Sequence, residues 1–221
     1  MKKLLSAGTL TAKVAIVAAA ALGGTALVSS SVFASLTATA SNAGGTGSVT
    51  SGTLKLTQAA SGVTGITGGF TTAISGMAPG DTVNRYIDLT NGGTLDGSAM
   101  TLGLAATPST ALTTDGTNGL KITINQCSVA WSATGTCSGT TTSNVLAQTS
   151  ALSLATPATL TLASGSLLAA AVSHLQISMT LPAGSEVVSN GTLPVGTVQG
   201  LTTALTWTFT ETLRTNTTTN S

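Results

Sequence analysis

From Thr53 onward the chain is written in period two. Leu54 and Leu56 flank Lys55; Val83, Ile87 and Leu89 share one parity with Arg85, and Asn84, Tyr86 and Asp88 take the other. Further sets follow at Met100-Leu102-Leu104, Leu120-Ile122-Ile124, Leu152-Leu154 and Leu160-Leu162. Leu175, Ile177, Met179 and Leu181 alternate strictly, as do Leu205, Trp207 and Phe209 after Leu201. Alternation of this kind predicts strands that bury one face and wet the other. Gly, Pro, Asn or Asp bounds most of the runs: Pro79-Gly80, Asn91-Gly92, Asp96-Gly97, Asp115-Gly116, Asn118-Gly119 and Asn190-Gly191 read as turns. Only Leu167 to Val172 reads as helical, for a turn or two. About seven to nine strands predict an all-β, jelly-roll-like antiparallel β-sandwich over residues 51–214, with no second domain and no internal repeat.

The N-terminus breaks this pattern. Lys2, Lys3 and Lys13 precede an apolar stretch from Val14 to Val28, and Val32-Phe33-Ala34 offers small residues for cleavage after Ala34, with Val28-Ser29-Ser30 as a second option. That is the form of a signal peptide over residues 1–34. The stretch is short and Gly-interrupted for a spanning helix of about 20 apolar residues. An uncleaved anchor helix is the alternative and would be the chain's one contact with a membrane. Residues 35–50 are small, polar and Pro-free, a flexible segment that can extend as a donor strand; residues 215–221 read as a disordered tail. The expected location is therefore secreted, at the cell surface or in an extracellular matrix.

Charge narrows the partners. Only 6% of the 221 residues are charged, and beyond residue 34 four basic residues face six acidic ones, a net of −2. No basic patch is available for nucleic acid or for an anionic membrane. The polar surface is instead made of Thr, Ser and Gly. A hydroxyl surface with few charges favours association of sheets, so self-association or contact with other matrix proteins is expected. Aromatic residues are only 3%, which argues against a sugar-stacking face.

Candidate chemistry is sparse. Cys127 and Cys137 are an even pair in a chain read as exported, and they predict a disulfide closing a short loop that holds Trp131 and Gly135. The single histidine, His174, falls on the polar parity of its strand and reads as a solvated residue. No H-E-x-x-H, no S-x-x-K, no EF-hand loop and no phosphate-binding glycine motif occurs. Gly135-Thr136-Cys137-Ser138-Gly139 has the outline of a nucleophile elbow without its strand-to-helix setting. No catalytic, cofactor-binding or metal-ligating set is predicted.

Four segments, in order and spanning nearly the whole chain beyond the leader, resemble the TasA/camelysin family of secreted surface and biofilm-matrix proteins. The first runs from Phe33-Ala34-Ser35 through the Thr/Ala-rich stretch into Gly52-Thr53-Leu54-Lys55-Leu56. The second is Met77-Ala78-Pro79-Gly80-Asp81-Thr82-Val83, and the third Leu89-Thr90-Asn91-Gly92-Gly93-Thr94-Leu95. The last is Val198-Gln199-Gly200 with Leu205-Thr206-Trp207-Thr208-Phe209. The resemblance implies a jelly roll, export through a dedicated signal peptidase and, in the best-known members, assembly into extracellular fibres. Camelysin-like members are classed as metallopeptidases; one His and two Glu do not supply that ligand set here. The expected function is a structural surface or matrix protein that forms fibres by N-terminal strand addition. The alternatives are a secreted metallopeptidase and a monomeric binding module.

Overall fold

The computed structural model describes residues 51–61, 68–183, 186 and 191–217. The predicted signal segment and residues 35–50 lie outside them. The described residues form eight strands: β1 (Leu56–Ala60), β2 (Thr82–Asn91), β3 (Gly97–Thr107), β4 (Lys121–Cys127), β5 (Thr141–Ser150), β6 (Ala158–Leu160), β7 (Val172–Thr180) and β8 (Ala204–Leu213). They build two sheets, one in the order β1-β2-β7-β4-β5 and one in the order β6-β3-β8. Every pairing between the strands is antiparallel. The two sheets make the all-β sandwich that the alternation predicts. The chain crosses between sheets from β2 to β3, back to β4, and again on either side of β6 and β7. That is why the neighbours in each sheet are seldom neighbours in sequence.

The core is the apolar parity of each strand. Ile87, Leu89, Met100, Leu102, Ile122, Ile124, Leu175 and Ile177 have no exposed surface. Fully burying a side chain of this size is worth about 1.5–3 kcal/mol, so with 3% aromatics the fold rests on aliphatic packing. Two short apolar runs depart from expectation. Leu152-Leu154, read as a strand, lies in a 3-10 turn at Ser153–Ala155, because the Ser150 hydroxyl accepts the Ser153 amide and turns the chain so that Leu154 plugs the core. Leu167 to Val172, read as helical, is a turn leading into β7. Ala170 takes a left-handed backbone (φ 59°), the Ala171 amide bonds back to the Leu168 carbonyl, and Leu167 enters the core. Among the described residues the one α-helical turn, α1 (Ala111–Thr114), follows β3 instead.

Candidate functional site

The residues singled out in the sequence separate onto the two ends of the sandwich and one edge. At the first end, Asn91 closes β2 and is fully buried. Its side-chain amide donates to the carbonyls of Leu95 (2.8 Å) and Leu167 (3.2 Å). Its side-chain oxygen accepts from the Gly93 amide (2.9 Å) and the Lys55 amide (3.4 Å). One buried polar side chain thus joins the approach to β1, the β2–β3 turn and the loop before β7. The Gly92 amide adds a bond to the Lys55 carbonyl (2.8 Å). Gly93 has to be glycine: a Cβ there would run into the Thr53 carbonyl.

At the opposite end, Pro79-Gly80-Asp81 forms the turn into β2. The Asp81 carboxylate accepts the Ala78 amide (2.8 Å), and Gly80 takes φ 97°, a region side chains avoid. The Gly80 amide and the Asp81 carbonyl both pair with the backbone of Leu181, which ties the turn to the end of β7. Beside it opens a cavity of about 510 Å³, lined mainly by apolar side chains that include Ile74, Met77, Leu120, Leu201 and Leu205. Gly200 lines this cavity too, and Gln199 is held half-buried next to it by a bond from its amide to the Thr197 hydroxyl (3.0 Å).

Trp207 and Phe209 lie on β8, which pairs with β3 and forms the edge of the smaller sheet. Phe70 stacks on Trp207 with ring centroids 4.7 Å apart. Leu205, Trp207 and Phe209 point inward yet stay only partly buried, whereas Leu102 and Leu104, their neighbours on β3, are buried. Among the described residues no strand pairs with the second edge of β8.

The larger sheet carries a different arrangement on its outer face. Cys127 and Cys137 form the predicted disulfide, with Cα atoms 5.6 Å apart. The loop it closes folds Trp131 onto Tyr86 (ring centroids 5.6 Å), and the indole N–H donates to the His174 carbonyl at 3.2 Å. Cross-strand side chains pair in rows next to it: Thr82 with Thr180 (2.8 Å), Asn84 with Ser178 (2.7 Å), and Tyr86 with Gln176 (3.1 Å) and on to Asn125 (3.2 Å). His174, read from sequence as a solvated residue, sits half-buried with its Nδ1 at 2.7 Å from Asp88 Oδ1. The pairing register places Asp88 directly opposite His174, a relation no local pattern contains. Among the described residues, no three of His, Cys, Asp and Glu converge as a metal-ligand group.

Two charged groups face inward. Arg85 follows the parity of Ile87 and is buried; it donates to the carbonyls of Asn84 and Thr72, both at 3.3 Å, and burial lowers its pKa. Glu211 on β8 accepts the Leu167 amide at 2.8 Å. Loss of water around its carboxylate outweighs that bond and raises its pKa. Asp115 and Glu186 are half-buried and shift the other way. Backbone amides of Asn118 and Thr117 hold Asp115 ionised, and the Thr197 hydroxyl and Val198 amide do so for Glu186.

No protein-family model matches the sequence, and no curated protein matches it.

Proposed function

We propose that this is a secreted structural protein of an extracellular surface or matrix, whose subunits join head to tail by adding an N-terminal segment to a neighbour's sheet. The observation that carries the reading is β8. It is a ten-residue strand whose second side is unpaired among the described residues, with few charges to guard it and three large inward residues left half-covered. Such an edge is a template for a further strand. The ends of the sandwich suit the same reading. The Thr53 carbonyl accepts the Thr94 and Leu95 amides beside Asn91, so the chain enters β1 at that end. The apolar cavity and the start of β8 lie at the other end. A contact between unlike ends does not close on itself and propagates a filament.

The test is deletion of residues 35–50 from the chain that begins at Ser35, with sedimentation and negative-stain microscopy of both forms. The reading expects filaments from the longer chain and none from the shorter. The same fibres from both, or monomers from both at high concentration, would sink it.

A further inference from the structure

Residues 70–75 run beside β8 without joining either sheet. All but Phe70 are exposed. Among the described residues none of their amides donates to another protein group, and their one accepted bond comes from Arg85 to the Thr72 carbonyl at 3.3 Å. No hydrogen bond joins them to β8. Side chains make the contact instead. Phe70 stacks on Trp207, with ring centroids 4.7 Å apart and planes 8° from parallel. Ile74 and Ser75 line the apolar cavity together with Leu201, Thr202 and Leu205.

A glycine in the left-handed region stands at each end of this segment, Gly69 and Gly76, both at φ 68°. A Cβ at Gly76 would meet nothing within 4 Å, so the backbone conformation and not packing calls for glycine there. Just outside the glycines the chain is held. The Gly69 amide bonds to the Tyr86 carbonyl (2.8 Å), and the Ala78 amide bonds to the Asp81 carboxylate (2.8 Å). The ends are fixed and the middle has almost no bonds of its own.

We propose that residues 70–75 are a strap that covers β8 in the free subunit and swings away, about Gly69 and Gly76, when a neighbour's strand adds. The proposal rests on the strand-addition reading and assigns its regulation. The strap shields Trp207 but gives the backbone of β8 no partner. An incoming strand supplies cover and a ladder of backbone bonds together. The exchange costs one aromatic stack and very few hydrogen bonds, so this segment opens at less cost than any strand of the sandwich.

The first measurement uses the chain from Ser35 without residues 35–50, with fluorotryptophan at Trp131 and Trp207, the only two tryptophans. Fluorine NMR should show conformational exchange at Trp207 and none at Trp131. Phe70→Ala should move the Trp207 signal to its open position. Joining Ile74→Cys to Thr202→Cys with a short bis-maleimide should remove the exchange. The second measurement is filament growth of the chain from Ser35. Phe70→Ala should speed it about tenfold, since the stack no longer has to break. The cross-linked pair should not grow, and the same pair capped with N-ethylmaleimide should. A Trp207 signal without exchange, exchange that the cross-link leaves unchanged, or a cross-linked chain that grows like its parent would each overturn the strap. Absence of filaments from every form would count against strand addition itself, and the fluorine signals of the shorter chain would still decide whether the strap opens.

Discussion

The outer faces of the two sheets start from similar material and reach opposite ends. Both are strand faces of short polar residues at period two. On the larger sheet, Asn84, Tyr86 and Asp88 meet Ser178, Gln176 and His174 across the β2–β7 ladder, and each pair closes a side-chain hydrogen bond. The disulfide loop then sets Trp131 on top of Tyr86. On the smaller sheet the facing residues are Thr, Ala and Gly, and nearly all of their hydroxyls are left to solvent or to another molecule. Residues of longer reach satisfy one another within a face. On the smaller sheet Thr206 and Thr208 lie beside Ala105 and Gly103, which offer no side-chain partner, and the face stays open. One face contributes to the stability of its own domain, and the other adds little to it.

Mutations should expose that division, and the largest effect belongs to the covered face. Trp131→Ala strips the buried ring from Tyr86 and should cost about 3–5 kcal/mol in denaturant unfolding. A loss below 1 kcal/mol would mean that the loop is not part of the fold's cooperative unit. Next comes the cross-link beneath it: Cys127→Ser with Cys137→Ser should cost about 2–3 kcal/mol, read from the shift in urea midpoint. His174→Ala leaves Asp88 without its partner and should cost about 1 kcal/mol; Asp88→Asn, which can still bond to His174, should cost less. The open face should hardly register. Thr206→Ala and Thr208→Ala should each stay within about 0.5 kcal/mol, and a larger change would show that these hydroxyls support the monomer.

Glu211, on the buried side of β8, adds a prediction in pH. Its pKa is raised in the folded state, so the folded protein holds this proton where the unfolded chain has released it. Stability from this group is therefore greatest at low pH and falls as pH rises from the ordinary glutamate value through the folded one. Asp115 and Glu186, with lowered pKa values, act in the opposite sense, losing stability as pH falls. Glu211→Gln keeps an acceptor for the Leu167 amide and should remove the Glu211 contribution, leaving a profile that only declines toward acid. An unchanged profile would show that the carboxylate is not desolvated.

Much of the sandwich was legible because its strands obey one rule over long runs. At β2, β7 and β8 the alternation extends through nine or ten residues, and a one-residue slip would expose a whole core face. The rule weakens where apolar residues are few. Leu152-Leu154 and the Leu167 to Val172 run each supply core side chains from a turn, and a pair of leucines looks the same in a turn as in a strand. The partners of Asp88 and of Trp131 were not legible at all. Each depends on which strands lie side by side, and β2 and β7 are far apart in sequence. Asn91 stood out as a turn residue, but its burial and its bonds to three separate segments come from the tertiary fold.

The clamp around Asn91 also bears on how the domain would carry a load. A pull between the chain ahead of Thr53 and an anchor at the Pro79-Gly80 end of the sandwich is directed along β1, parallel to its ladder with β2. The β1–β2 hydrogen bonds are then strained together in shear instead of opening one after another. The bonds from Asn91 and Gly92 to Lys55, and from Thr53 to Thr94 and Leu95, sit at the point where the force enters. Single-molecule stretching from that end should give a higher rupture force than stretching that peels β1 from its Ala60 end, and Asn91→Ala should narrow the gap. A short strand, poorly buried and weak by ordinary measures of stability, becomes in this geometry the anchorage through which tension passes into the body of the protein.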